Sequence, residues 1–373
     1  MTGRRQTAVK TNEKQKHEKR FHVVKRAEIS ASRALLVRIA AIAAALVFCA
    51  LLSVLIIGAD PIKFITTLFK GAFGSERRLW NFAKDTAVLL CISLAVTPAF
   101  RMRFWNIGAE GQVLVGALAA VACIMYIGNS VPNWLLLIIM FFASLAAGAI
   151  WAFIPAIFKA KWGTNETLFT LMMNYVATYL VGYFLLVWTP DGSSTLGELK
   201  LGHMPRLYNE YLLLIVIVAV LTVMMYVYLN FTKQGYEISV VGESENTARY
   251  IGINVGKVIL RTMLVSGAVC GVAGFLIVGA LDHSITATTV GGLGFTAIMV
   301  SWLAKFNPFI MIATSGLIVA LTQGGSQIST NFNISSAFPD MVIGIILFFI
   351  IGCEFFINYR IKLRSSKKKE VKV

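Results

Sequence analysis

The chain has 373 residues, of which 57% are apolar and only 14% charged, and its mean hydropathy is +0.74. A soluble domain carries roughly 45–50% apolar and about 25% charged residues, and a spanning helix takes about 20 apolar residues. The composition excludes a soluble enzyme, a disordered chain and a secreted disulfide scaffold. The net charge of +16 is concentrated at the ends: residues 1–33 hold ten Lys/Arg and three Glu, and residues 360–373 hold seven and one. A nucleic-acid-binding surface needs a folded basic domain with its own core, which a tail of this composition lacks, so the lipid bilayer and not nucleic acid is the expected partner of these charges. Basic flanks on apolar helices are topology signals retained in the cytoplasm.

In chain order, eight apolar segments read as spanning helices: 34–58, 105–127, 134–158, 168–188, 211–231, 258–281, 309–325 and 338–358. Two more, near 86–100 and 293–304, are short for a span, with Pro98 inside the first and Gly291, Gly292 and Gly294 at the start of the second. Short, Gly- or Pro-interrupted membrane segments point to a transport pathway, because irregular backbone survives at membrane depth only under cover of protein or water. With ten crossings and a cytoplasmic N-terminus, 27 of the 34 Lys/Arg fall inside and seven outside, as the positive-inside rule requires. The expectation is an all-α polytopic membrane protein of about ten transmembrane helices with both termini cytoplasmic: tails at 1–33 and 359–373 and a transmembrane domain over 34–358. The outward connection 59–85 carries five basic residues and is expected at the membrane surface; the other long connections are 189–210, with Pro190, Asp191 and Gly192, outside, and 232–257 inside.

Catalytic motifs are absent from the sequence. Gly252–Val258 approaches a phosphate loop, but it is one residue short between its glycines and has Val258 where Ser or Thr would bind magnesium. The five cysteines lie in apolar stretches without CxxC spacing and read as small hydrophobes.

Three polar features interrupt the apolar pattern. Asn106, Glu110 and Gln112 sit among glycines at the start of 105–127, where a carboxylate and amides are costly unless they face the bundle interior or water. Glu166, Thr170, Asn174 and Thr178 recur every four residues on or just before 168–188, forming one polar stripe; substrate contact and interhelical hydrogen bonding are both open readings. In 232–257, Ser244 can cap a short helix that Gly252 ends, too polar to span.

Phe104–Gln112, Gly163–Glu166 with Met173–Tyr175, and Val241–Glu243 with Ala248–Ile253 together resemble the permease subunits of bacterial ABC importers of the ribose, branched-chain amino acid and nucleoside type, closest to the nucleoside branch. The resemblance covers about residues 80–360. It implies a second permease subunit (a heterodimer), a cytoplasmic ATP-binding subunit that meets Gly242, Glu243, Ala248, Arg249, Tyr250 and Gly252, and an extracytoplasmic substrate-binding lipoprotein. ATP and magnesium would belong to the ATPase, leaving this chain without cofactor, metal or catalytic residue of its own. Asn106, Glu110, Gln112, Glu166, Thr170, Asn174 and Thr178 are the candidates to line or brace the pathway. The place that the resemblance implies is a bacterial plasma membrane. One departure is Trp105, where the resemblance implies a less bulky residue. Two alternatives stay open: a sugar permease of the same class, and a secondary transporter using Glu110, Asp282 and Glu354 as proton relays.

Overall fold

The computed structural model describes residues 21–26, 30–189, 195–335 and 337–363. Most of both basic tails, with Pro190, Asp191 and Gly192, lies outside the described residues. The described chain divides into a larger unit, 59–343, and a smaller one, 1–58 with 344–373. Nine helices among the described residues are long and apolar enough to cross a membrane, and Leu293–Leu303 is a shorter apolar helix. The chain is thus an all-α polytopic membrane protein.

The smaller unit contains helix α1 (Ala31–Ile57) and most of α13 (Ala337–Asn358). Arg38 of α1 forms an ion pair with Glu354 of α13, so neither charge stands alone. Strand β1 (Phe21–Lys25) pairs antiparallel with β2 (Tyr359–Leu363), from Phe21 opposite Leu363 to Lys25 opposite Tyr359. Both strands lie in segments that the sequence marks only as basic tails. Their pairing sets the outer ends of α1 and α13 on the same side, which requires an even number of crossings between them.

In the larger unit, α2 (Pro61–Phe73) fills much of the expected surface connection. Asp60 accepts hydrogen bonds from Ile62 and Lys63 N–H, and Pro61 starts the helix where a missing donor costs nothing. Phe64, Thr67, Leu68, Gly71 and Ala72 form its buried face. The connection is therefore an amphipathic helix rather than a loop.

Helix α3 (Glu76–Arg101) corrects a second expectation. The short segment near 86–100 is the apolar part of a 26-residue helix. Its first turns carry Asn81, Lys84 and Asp85, which line a cavity and so depress the local hydropathy.

There follow α4 (Ala109–Ile127), α5 (Asn133–Trp162), α6 (Glu166–Trp188) and α7 (Leu212–Phe231). The connection 232–257 holds two helices where sequence suggested one, α8 (Lys233–Glu243) and α9 (Glu245–Tyr250). Ser244 does cap the second, its hydroxyl accepting the Thr247 N–H. Helix α10 (Val255–Leu276) continues through a π-helical turn to Asp282 and is largely buried. Its small residues permit this: Cβ atoms at Gly267 and Gly271 would overlap the Gly148 and Ser144 carbonyls of α5, and one at Gly274 would overlap the Val113 carbonyl of α4. Helices α11 (Leu293–Leu303) and α12 (Pro308–Phe332) complete the unit. Helix α12 runs seven residues beyond the expected end at 325, because its last turns are polar yet helical.

Candidate functional site

Helix α3 ends at Arg101, and α4 does not begin until Ala109. The intervening backbone rises along α10: Asn106 Nδ2 lies 3.4 Å from Ser266 Oγ. Ser266 is eleven residues into α10, about 16 Å from its start. Helix α4 thus starts near half-depth of a span that runs over 28 residues to Asp282. The start of α11 is at the same level, because a Cβ on Gly294 would lie 2.5 Å from Glu110 N. The starts of α4 and of the shorter α11, each preceded by irregular backbone, therefore meet inside the bundle.

Glu110 joins them. One carboxylate oxygen accepts the Gly292 N–H and the other the Gly294 N–H, both at 2.7 Å. The first N–H groups of a helix lack intrahelical partners and carry partial positive charge. Glu110 satisfies two donors at the start of α11 while standing in the first turn of α4, so a single carboxylate serves both dipoles. Gly292 has φ +83°, a conformation that a side chain would resist.

The remaining polar residues hold the irregular segment 102–108. Asn106 is fully buried and exchanges side-chain hydrogen bonds with Gln112 at 3.1 and 3.3 Å, while its Oδ1 also accepts Gly108 N–H. From α6, Thr170 Oγ1 accepts Ile107 N–H at 3.1 Å. Asn174 Oδ1 accepts Gly111 N–H at 2.8 Å, and its Nδ2 donates to the Ile107 carbonyl at 2.9 Å. These are backbone groups that no helix or sheet pairs, and leaving one buried and unpaired costs about 1–3 kcal/mol. The structure thus brings Asn106, Glu110, Gln112, Thr170 and Asn174 into one joint. Thr178 lies one turn further on and donates to the Asn174 carbonyl. Glu166 stands apart, in an ion pair with Lys159 at 2.8 Å.

Gly292 and Gly294 were legible in sequence only as helix punctuation; their spacing from Glu110 in the chain hid the partnership. Trp105 also finds its reason here. It stacks on Trp302 of α11 with ring centroids 5.5 Å apart and meets Phe100 edge-on, so its bulk fastens the irregular segment to α11.

A second constellation lies at the end of the bundle where α3 finishes. Gly242 of α8 abuts the Arg101 carbonyl so closely that a Cβ would overlap it. Ile238, Val241 and Ala248 join Met102, Phe104, Ala152, Ala156, Val258 and Met263 in one buried apolar cluster, and Glu237 of α8 pairs with Arg261 of α10 at 2.7 Å. Gly242 and Ala248 thus face the bundle. Glu243, Arg249, Tyr250 and Gly252 face away from it, and Tyr250 is 94% exposed with Ile251 beside it also exposed. An exposed aromatic on a rigid, well-anchored knob is suited to insertion into a partner's pocket. The cluster that anchors the knob includes Met102 and Phe104, the residues leading to the joint. Displacing α8 and α9 therefore bears on the start of α4.

A family model described as branched-chain amino acid transport system / permease component matches residues 78–351. Over 330 residues the chain is 29% identical to the guanosine ABC transporter permease protein NupP of Bacillus subtilis, spanning 86% of this chain and 92% of that one. It is 25% identical over 346 residues to the nucleoside ABC transporter permease protein NupB of Lactococcus lactis, spanning 88% and 93%. A glucose ABC transporter permease protein of Haloferax volcanii is 28% identical over 326 residues, spanning 83% and 85%.

Proposed function

From the premise that this chain belongs to the family of branched-chain amino acid transport system permease components and is a membrane-spanning ABC transporter subunit, we propose that it imports nucleosides across a bacterial plasma membrane. Substrate arrives from an extracytoplasmic binding lipoprotein. A second, related permease completes the passage, and a cytoplasmic ATP-binding subunit supplies ATP and magnesium chemistry. This chain performs no covalent step.

The observation that carries the coupling is the continuous packing from α8–α9 through Met102 and Phe104 to Asn106 and Glu110. ATP binding on the partner favours one position of the exposed Arg249–Tyr250 knob, and a ligand shifts an equilibrium only through such differential affinity. Movement of the knob passes to the irregular segment, which is held by hydrogen bonds that can re-form in a second arrangement. Glu110, Asn174 and their neighbours brace this joint beside the pathway. The cargo is argued from the relatives named for guanosine and nucleosides, which span most of this chain. With α8–α9 in the cytoplasm, both tails are cytoplasmic too.

The glucose permease relative, of similar identity and coverage, favours a second reading with a sugar as cargo. The test is ATP-dependent uptake of labelled guanosine and glucose by liposomes containing the complete transporter. Saturable guanosine uptake that requires the ATPase supports the proposal. Glucose uptake without guanosine uptake selects the second reading. Uptake by this chain alone on an ion gradient refutes both.

A further inference from the structure

At the end of the larger unit opposite α8–α9, a cavity of about 330 Å³ opens between α2, α3 and α12. No aromatic ring lines it; Asn81, Asp85, Gln323, Ser326, Gln327 and Thr330 form most of its wall. We infer that this cavity is a subsite that reads the hydroxyl groups of the cargo, the ribose of a nucleoside or a free sugar, as it enters the permease. The inference rests on the importer reading above and gives the cargo a point of recognition on this chain.

The wall carries hydrogen-bond acceptors along with donors. Gln323 Nε2 donates to Asp85 Oδ2 at 2.8 Å, which fixes the amide and leaves Gln323 Oε1 buried without a partner. A buried carbonyl oxygen with no donor is costly unless a ligand supplies one. Along α12, Ser326 and Thr330 each donate their hydroxyl to the carbonyl four residues earlier, at 3.1 and 3.0 Å. Their protons are committed to backbone, so these exposed oxygens also offer lone pairs. Such a polar, exposed face on a membrane helix needs water, protein or a polar solute against it.

The cavity also holds two cations, Arg78 and Lys84, beside the Asp85 carboxylate. Arg78 Nη1 donates to the Lys70 carbonyl at 2.6 Å. Lys84 pairs with Asp85 at 3.6 Å and lies 5.1 Å from the Tyr211 ring centroid. The wall therefore presents acceptors on Asp85, Ser326 and Thr330 beside donors on Arg78, Lys84 and Asn81. That mixture is met by hydroxyl groups, which donate and accept at once, and not by a phosphate or carboxylate, which only accepts and would face the Asp85 charge.

The experiment uses the complete transporter in liposomes, with guanosine, 2′,3′-dideoxyguanosine, glucose and 2-deoxyglucose as labelled probes and guanosine 5′-monophosphate as competitor. Co-purification with the ATPase checks assembly of Gln323→Met and of a second variant, Ser326→Ala. Gln323→Met is expected to lower guanosine uptake by about tenfold and dideoxyguanosine uptake by less than about twofold, because only the former loses a hydrogen-bond partner. Ser326→Ala is expected to act in the same sense and more weakly. Equal loss for both nucleosides, or no loss, overturns the inference, as does stronger competition by the monophosphate than by guanosine. If the wild-type complex moves glucose and not guanosine, while Gln323→Met lowers glucose uptake more than that of 2-deoxyglucose, the subsite stands and the nucleoside reading falls. Uptake of none of the four overturns both.

Discussion

Replacing Glu110 tests the joint most directly. In the native structure two N–H groups of the α11 start donate to its carboxylate at 2.7 Å each, and a hydrogen bond to a charged group is worth about 1.5–3 kcal/mol. Glu110→Ala removes both, a gross loss of about 3–6 kcal/mol, reduced because the residue is half-buried and water replaces part of what is lost. Glu110→Gln keeps one acceptor oxygen and turns an amide donor toward the other N–H, so about half the loss is expected. Hydrogen–deuterium exchange reads this at the two amides themselves. Opening costs lowered by about 2–3 kcal/mol accelerate exchange at Gly292 and Gly294 by roughly 30- to 150-fold, with Gln intermediate between wild type and Ala. The Gly111 amide, held by Asn174, serves as the internal control and stays protected in Glu110→Gln. Unchanged exchange at Gly292 and Gly294 in both variants, or equal acceleration in the two, would refute the bridging role.

Other expectations follow from packing, exposure and charge. Gly271→Ala drives a methyl group into the Ser144 carbonyl and should destabilise the protein by about 1–3 kcal/mol or more, seen as a lowered unfolding temperature in detergent; Gly182→Ala, with nothing within 4 Å, should be neutral or slightly stabilising. Tyr250→Ala should weaken capture of the ATPase by about 30-fold with normal membrane insertion, and undiminished capture removes α9 from the docking surface. His283 is held below the usual histidine range, first by burial and then by the His203 ring stacked at 3.9 Å. Because its folded-state affinity for protons is depressed, its contribution is fully present above about pH 6.5 and is lost as pH falls below that value. Exchange at the Leu199 amide, which donates to the His283 carbonyl at 2.8 Å, should accelerate as pH falls below about 6.5 beyond its intrinsic pH dependence, and His203→Phe should lessen that effect.

Much of the architecture is written in local pattern. A spanning helix must satisfy its own backbone and present apolar side chains all round, so α1, α4, α5, α6, α7, α10 and α13 were legible to within a few residues. The Ser244 cap and the stop at Gly252 depend on neighbours a turn away, and they too could be read directly. Helices α3 and α12 were underestimated for one reason: Asn81, Lys84 and Asp85 on the first, and Gln323 through Thr330 on the second, are polar residues that a hydropathy pattern assigns to loops. Each is tolerated because the other helix stands across the cavity from it.

The polar stripe of α6 and the Asn106–Gln112 stretch could be recognised as buried features, since such groups are too costly to leave facing lipid. What they bind was decided only when the chain folded. Asn174 reaches Ile107 and Gly111, Thr170 reaches Ile107, and Glu110 reaches Gly292 and Gly294, 182 and 184 residues away. Hydrophobic periodicity reports whether a side chain is turned toward or away from lipid. It contains no information about which distant backbone group will arrive opposite a given carboxylate, because that depends on how the close-packed glycines of α10 set the heights of α4 and α5 against it.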